Sequence, residues 1–204
     1  MADAEQLSTR EAILVEARHL FASQGYDGTS LNDIAAGVGI KRASVLHHFP
    51  SKEAIYREVL NSSLAEWIDR VIHESDKERP DHGWSYVDDI LTTAWRFFME
   101  NPELVAIVRR EAINRRSPLA IDLGTALRPM FQRAAAYFAR EMDAGTYRHF
   151  DPDQLLLTGY GAILSYFSDL PIVEGLLDRD PLDPTLLEQR LDHLREFLRA
   201  ALVA

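Results

Sequence analysis

The segment from Thr29 to Lys52 constrains the fold of this chain more than any other, because it specifies two short helices joined by a tight turn. Ser30 and Asp33 have the spacing of a capping box, in which a hydroxyl and an acid pair with free backbone N–H groups. Gly39 follows at a position where helices commonly end in a left-handed conformation. The pattern predicts one helix over residues 32–38 and another over residues 41–48, as in a helix-turn-helix motif.

The second predicted helix has an outward face that is rich in hydrogen-bond donors. Val45 and Phe49 are apolar and are predicted to be buried. The other face carries groups that can donate to phosphates or base edges, namely Lys41, Arg42, Ser44, His47 and His48. A structural helical corner with a basic surface is the alternative that this pattern leaves open.

The charge of the chain is acidic overall, with a formal net charge of −10. Residues 28–57 hold four basic and two acidic side chains, whereas residues 58–204 hold 16 basic and 25 acidic ones. Salt screens exposed charges beyond about 8–10 Å, so acidic residues distant from the helix-turn-helix cost little there. The acidic total therefore does not exclude a polyanionic partner.

Composition narrows the class of protein further. The absence of cysteine excludes disulfides, thiolate metal sites and thiol redox chemistry. No apolar run approaches the roughly 20 residues that a membrane-spanning helix needs. The polar, acidic N-terminal segment is unlike a secretory signal. We therefore expect a soluble cytoplasmic protein.

Helical patterns extend over the rest of the chain. Apolar residues recur at helical spacing over residues 9–24 and over residues 51–77, where one long helix would measure about 40 Å. Residues 78–83 are the first clear break. A capping residue followed by proline marks helix starts at residues 101–102, 117–118, 151–152 and 183–184. Further helices are expected near residues 84–100, 102–115, 118–143, 152–169 and 184–203, with a short turn near 173–177. The sequence predicts an all-α fold.

Metal binding and catalysis have little support. Glu16 and His19 have the spacing of a carboxylate di-iron helix, but that site needs a second such motif, which the sequence lacks. His47 and His48 point about 100° apart on a helix, so one ion cannot easily bind both. No phosphate-binding glycine loop, nucleophile elbow or paired-acid motif is present. We predict no catalytic residue, no metal site and no cofactor.

The segment from Thr9 to Arg57 resembles the DNA-binding head of the TetR-type (tetracycline-repressor-like) transcriptional regulators. The matching features are Phe21, Gly25-Tyr26, Thr29-Ser30, Asp33-Ile34-Ala35, Gly39, His47-His48-Phe49 and Ser51-Lys52-Glu53. The resemblance covers about the first 60 residues. It implies a three-helix head, a connecting helix 4, and a helical C-terminal domain that dimerises and binds a ligand. The domains would be residues 1–57 and 58–204, with helix 4 continuing to about residue 77.

The resemblance also implies roles for individual residues in DNA binding. The predicted DNA face consists of Thr29, Ser30, Lys41, Arg42, Ser44, His47, His48 and Lys52. Thr29 and Lys52 would bind backbone phosphates, whereas Lys41, Arg42 and Ser44 would read base edges. The chain departs from the family pattern at Leu46, where a tyrosine commonly contacts a phosphate.

The resemblance implies an apolar ligand cavity in the C-terminal half. The aromatic candidates for its lining are Trp95, Phe98, Phe131, Tyr137, Phe138, Tyr160 and Phe167, with core packing as the alternative for each. Gly159, Gly161 and the leucine stripe from Leu186 to Leu202 suggest a dimer seam. A final helix that packs only within its own chain is the alternative.

The combined prediction is a homodimeric, ligand-responsive transcriptional regulator, a repressor rather than an activator. A small apolar or aromatic effector would release it from a pseudo-palindromic operator through a population shift that swings helix 4. Two alternatives from other classes are a helical ferritin-like metalloenzyme and a dimeric helical adaptor that binds protein rather than DNA.

Overall fold

The computed structural model describes residues 7–77, 83–113 and 122–203. These residues form ten α-helices and no β-strand, which confirms the predicted all-α fold. The helices are α1 (Thr9–Gly28), α2 (Leu31–Val38), α3 (Arg42–His48), α4 (Lys52–Ser75), α5 (Trp84–Glu100), α6 (Pro102–Ile113), α7 (Leu123–Asp143), α8 (Pro152–Ser168), α9 (Leu170–Leu177) and α10 (Pro184–Leu202).

Most predicted helix starts agree with the structure because local capping determines them. Pro102, Pro152 and Pro184 are the first residues of α6, α8 and α10. At that position proline costs nothing, since its missing N–H would have no partner within the helix. The capping pair predicted at residues 117–118 lies outside the described residues, as does most of the break predicted at residues 78–83.

The start predicted for α7 was wrong. The helix was expected from residue 118 but begins at Leu123, because Asp122 is its N-cap. The Asp122 carboxylate accepts a hydrogen bond of 2.9 Å from the Thr125 N–H. The hydroxyl and the N–H of Thr125 hold the pKa of Asp122 below its ordinary value. An aspartate three residues before threonine was the local signal for this start.

Helix α1 is interrupted near its end at the predicted position. Gly25 has φ 77° and ψ 173°, outside the helical region. Regular helix therefore ends at Gln24, and the chain continues through a kink to Gly28. A left-handed φ of this kind is readily adopted by glycine, which lacks a Cβ.

The described chain separates into two compact units. The first contains α1 to α3, α4 as far as Glu66, and α6 from Glu103; the second contains α4 from Trp67, α5 and α7 to α10. Helix α6 thus clusters with the N-terminal helices, although the predicted domains placed it in the C-terminal part. The functional boundary near residue 57 stays a prediction.

The core of the first unit is built from one apolar face of each of its helices. Fully or almost fully buried side chains come from α1 (Ile13, Ala17, Phe21), α2 (Ile34, Ala35), α3 (Val45), α4 (Ile55, Val59, Leu60) and α6 (Leu104, Val105, Ile107). Burial of one such aliphatic side chain stabilises a fold by about 1.5–3 kcal/mol. This core determines which side of each helix faces solvent.

The leucine stripe of α10 lies in the core of the second unit. Leu186, Leu187, Leu191, Leu194, Leu198 and Leu202 are each at most 9% exposed within this single chain. Arg195 anchors the same helix to α5 by donating to Asp88 at 2.7 Å and to Thr92 at 2.8 Å. The stripe therefore cannot supply the dimer seam suggested from sequence, because its side chains are already covered.

Across the described residues, no single helix combines the length and apolar composition that crossing a membrane requires. Helices α8 and α9 meet that test only as a pair, and they are bent by 82° at the break between them.

Candidate nucleic-acid interface

The start of α2 has the predicted capping box. The Asp33 N–H donates to the Ser30 hydroxyl at 3.2 Å, and the Ser30 N–H donates to the Asp33 carboxylate at 2.8 Å. The Ser30 hydroxyl, followed by its N–H, holds the pKa of Asp33 below its ordinary value. The box is therefore strongest when Asp33 is ionised. Ser30 remains exposed at this helix end, and its contact with DNA stays a prediction.

Gly39 makes the turn between α2 and α3. It has φ 77° and ψ 29°, and its N–H donates to the Ala36 carbonyl at 3.1 Å. The Ile40 N–H closes the helix end by donating to the Ala35 carbonyl at 2.9 Å. A side chain at this left-handed position would cost roughly 1–2 kcal/mol. The turn therefore fixes the direction in which α3 leaves α2.

Two buried side chains orient α3. Val45 is fully buried and Phe49, immediately after the helix, is 4% exposed. The Arg10 guanidinium of α1 lies 4.9 Å from the centre of the Phe49 ring and also pairs with Glu58 of α4 at 2.8 Å. With this side held inward, Lys41, Arg42, Ala43, Leu46 and His47 are exposed, and Ser44 and His48 are half-buried.

An open groove runs beside the exposed face of α3. It has a volume of about 470 Å³ and is lined by Thr9, Ile40, Ala43, Ser44, His47 and His48. The rings of His47 and His48 lie 5.4 Å apart in an edge-to-face arrangement. Hydroxyl and imidazole groups thus line one side of the helix, beside the basic side chains at its start. The structure places Arg42, Ser44, His47 and His48 on α3 and Lys41 at its N-cap. Their contact with DNA stays a prediction.

Lys52 is directed into the first unit. Its ammonium donates to the Tyr26 carbonyl at 2.7 Å and to the Thr29 carbonyl at 2.8 Å. The same group lies 4.0 Å from the centre of the Tyr26 ring. Lys52 therefore ties the start of α4 to the end of α1 and to Thr29, which follows it. Any phosphate contact would come in addition to this structural role.

Thr29 does not present its hydroxyl to solvent. The residue is 2% exposed, and its Oγ1 donates to the Gly25 carbonyl at 2.9 Å. A phosphate oxygen cannot approach a hydroxyl that is covered by the protein itself. We therefore correct the predicted role of Thr29 from phosphate ligand to a side chain that holds the segment between α1 and α2.

Helix α6 is joined to α1 and α4 by polar contacts that sequence reasoning missed. The Tyr56 hydroxyl donates to the Glu111 carboxylate at 2.6 Å. His19 of α1 lies 3.0 Å from Glu103, and Arg110 donates to the Ser23 carbonyl at 3.1 Å. Burial, and then the hydrogen bond to Glu111, raise the pKa of Tyr56 far above its ordinary value, so the phenol remains a donor.

An aromatic cluster surrounds Tyr56. Its ring lies edge-on to Phe21 at 4.8 Å and to Tyr26 at 5.1 Å. A buried tyrosine usually has a hydrogen-bond partner for its hydroxyl. The position of Tyr56 on the buried side of α4 therefore indicated that a partner exists. The partner is 55 residues away in sequence, and no local pattern identifies such a distant residue.

Some aromatic residues predicted to line a ligand cavity are packed in the second unit. Trp95 and Phe167 are buried, with ring centres 4.7 Å apart. Phe138 is buried against Tyr137 at 5.5 Å and against Tyr147 at 5.8 Å. Within each group the rings pack against one another. Their part in binding a ligand stays a prediction.

The remaining predicted cavity residues differ in exposure. The Phe98 ring lies 5.1 Å from that of Trp67, tilted by 38°, and Phe131 is half-buried. Tyr160 is 52% exposed, so its predicted place in an internal cavity is corrected to the surface of α8. An open cavity of about 370 Å³ in this unit is lined by Glu196, Arg199, Ala200 and Val203, none of which was predicted.

Two family models match this chain. Residues 13–59 match the model described as bacterial regulatory proteins, tetR family. Residues 85–198, more than half of the chain, match the model described as tetracyclin repressor-like, C-terminal domain.

Individual relatives are regulators of the same kind. The HTH-type transcriptional regulator RutR of Escherichia coli K12 is 22% identical over 189 residues, which are 93% of this chain and 88% of RutR. The biofilm operon icaADBC HTH-type negative transcriptional regulator IcaR of Staphylococcus epidermidis is 39% identical over 67 residues. That match spans 33% of this chain and only 36% of IcaR.

A solved structure confirms the fold over nearly the whole chain. AibR in complex with isovaleryl coenzyme A and operator DNA superposes with a TM-score of 0.75 at 19% identity. The superposition covers 93% of this chain and 97% of AibR. At this identity the likeness shows the fold alone.

The contacts of Lys52 predict that its substitution destabilises the first unit. In Lys52→Met, two carbonyls lose a charged donor, so we expect a loss of about 1.5–3 kcal/mol in the free energy of unfolding. Chemical denaturation followed by circular dichroism measures this change. Lys41→Met is the matched control: its exposed side chain should change stability by less than about 0.5 kcal/mol. Equal stability of the two variants would contradict the structural role of Lys52.

Proposed function

The chain belongs to the TetR family of bacterial transcriptional regulators, and from this premise we propose that it is a homodimeric repressor whose α3 reads a pseudo-palindromic operator. Its family makes it a DNA-binding regulator rather than an enzyme, which excludes the ferritin-like alternative. The observation that carries the proposal is the donor-rich exposed face of α3, oriented by the burial of Val45 and Phe49.

The proposed DNA face is the predicted one with changed roles for two residues. Lys41, Arg42 and Ser44 are assigned to base edges and neighbouring phosphates, and Ser30, His47 and His48 to phosphates. Thr29 is removed from this face. The main role of Lys52 is to hold the backbone beside the face in position. In a dimer, two such faces would enter major grooves about 34–36 Å apart, one helical turn of DNA. A cytoplasmic location is proposed because a bacterial operator lies there.

The proposed dimer seam is the exposed face of α8. Leu157 is 50% exposed and Tyr160 is 52% exposed, one turn apart on the same helix. A Cβ added at Gly161 would meet no atom within 4 Å, so this surface is open to a partner helix. Exposed apolar residues beside a glycine allow close packing of a second copy. This surface replaces the leucine stripe of α10.

The proposed effector is a lipophilic acyl compound. Support comes from the fold shared with AibR, whose structure contains isovaleryl coenzyme A, and from buried aromatic side chains such as Trp95 and Phe138 in the second unit. Effector binding would shift the population between two arrangements of α4 and α6. Both helices are suited to this, because the chain leaves one unit and enters the other within α4 and again at the start of α6.

The hydrogen bond between Tyr56 and Glu111 is the proposed coupling contact. It joins α4 to α6 inside the first unit, at 2.6 Å. We assign it to the arrangement that binds DNA, where it adds to the contacts of His19 and Arg110. An effector that displaces α6 would have to break it. Its strength therefore contributes to the effector concentration needed for release.

Substitution of the basic side chains at the start of α3 tests the DNA face. We expect Arg42→Ala and Lys41→Ala each to weaken binding to a palindrome flanking the coding sequence by about tenfold or more. Mobility shift at several salt concentrations measures affinity and salt dependence. Arg179→Ala, an exposed arginine of the second unit, is the control. Wild-type affinity in both α3 variants would refute the assignment, and binding insensitive to sequence and salt would favour the adaptor.

A charge in the proposed seam should dissociate the dimer. Leu157→Glu would bury two like charges near each other in a two-fold interface, so we expect a monomer at micromolar concentration. Sedimentation equilibrium measures the mass. Leu176→Glu on α9 is the control, since Leu176 is 78% exposed outside the proposed seam. A dimer that persists in Leu157→Glu, or that is lost equally in both variants, would contradict this seam.

Loss of the coupling hydroxyl should sensitise the protein to effector. Acyl coenzyme A thioesters of short, medium and long chain are first tested for release of the operator. With an active thioester, Tyr56→Phe should lower the concentration for half-release by about fivefold, the worth of one hydrogen bond. Thr146→Val is the control, because it removes a half-buried hydroxyl that donates to the Glu141 carboxylate at 3.1 Å in the second unit. No release by any thioester refutes the effector class, and an unchanged half-release concentration in Tyr56→Phe refutes the coupling.

A further inference from the structure

Two apolar side chains interrupt the donor-rich face of α3. Leu46 is 41% exposed, and Ala43, three residues earlier, is exposed as well. Residues spaced by three are neighbours on a helix surface. With Val45 marking the buried direction, Ala43 lies about 160° and Leu46 about 100° around the helix axis. The two side chains therefore form a small apolar strip that points away from the core.

Polar and cationic groups flank this strip. Arg42 lies one turn before Leu46, and His47 follows Leu46 directly; both are exposed. On the other side, Ala43 borders the open groove that Ser44 also lines. Lys41 and Arg42 would bring phosphates or guanine edges to the N-terminal end of the strip, and His47 would bring a phosphate to its other end. In a complex with DNA, the group best suited to cover the strip would be an apolar group within the polyanion.

DNA presents one such group in the major groove. The edges of adenine, guanine and cytosine offer hydrogen-bond donors and acceptors there, whereas thymine adds its C5-methyl group. An alkyl side chain placed on a donor or acceptor would leave that polar atom without water and without a partner. Against the methyl group, the same side chain buries apolar surface at no such cost.

We propose that Ala43 and Leu46 read the C5-methyl group of a thymine in each operator half-site. This inference rests on the proposed function, because it requires α3 to lie in the major groove. It adds a specificity determinant that hydrogen bonding by Lys41, Arg42 and Ser44 cannot provide. Leu46 makes most of the contact, because its side chain is the larger and extends further from the helix.

The test removes the methyl group from DNA and the side chain from the protein independently. A bound duplex is first selected from a random double-stranded pool with the full-length protein. Each thymine of one half-site is then replaced in turn by deoxyuridine, which lacks only the C5-methyl group. Affinities are measured for wild type, Leu46→Ala and Leu46→Gln. Phe150→Ala, an exposed apolar residue of the second unit, is the control, and thermal unfolding verifies that each variant is folded.

For wild type and Phe150→Ala, we expect one deoxyuridine position to weaken binding about three- to fivefold, as loss of one buried methyl group would. In Leu46→Ala and Leu46→Gln, the same replacement should cost about twofold or less, since the contact is already gone. Failure to select any specific duplex would overturn the proposed function. A selected duplex at which every deoxyuridine is neutral, or a methyl effect that persists in both Leu46 variants, would overturn this inference alone.

Discussion

The burial of Val45 and Phe49 is the constraint on which the exposed surface of the first unit depends. A helix of seven residues such as α3 is too short to be stable in water by itself, so packing must supply its stability. Once those two side chains are inside, the opposite face of α3 has to be outside. The left-handed turn at Gly39 then fixes the direction of the helix. The side chains on the exposed face of α3 can therefore vary in chemistry, because the buried side chains supply the stability of the helix.

Several polar side chains of the first unit form hydrogen bonds to backbone carbonyls rather than to a ligand. Lys52 satisfies the carbonyls of Tyr26 and Thr29, and the Thr29 hydroxyl satisfies that of Gly25. These bonds serve carbonyls at and after the kink in α1, where the regular helical hydrogen bonds are interrupted. The residues nearest the proposed DNA face thus partly serve to hold the backbone beside it. Donors on α3 itself, by contrast, lie on a face that the core does not use.

Polar side chains tie α6 to two other helices of the first unit. Tyr56 and Glu111 join it to α4, and His19 and Glu103 join it to α1. A neutral phenol facing a carboxylate in a half-buried site is a directional contact that depends on the position of both helices. For a ligand-responsive regulator, a contact of this kind can register a small displacement of α6 as a change in the stability of the head.

The sequence by itself determined the features that depend on neighbouring residues. The capping box of Ser30 and Asp33, the turn at Gly39 and the proline starts of α6, α8 and α10 are local, because the interacting groups are at most a few residues apart. The inward positions of Val45 and Phe49 followed from helical periodicity. Only tertiary structure decided the partners of Lys52, Thr29 and Tyr56, the coverage of the α10 leucines and the exposure of Tyr160. Those outcomes depend on which distant helix lies against each side chain, and the local sequence does not identify that helix.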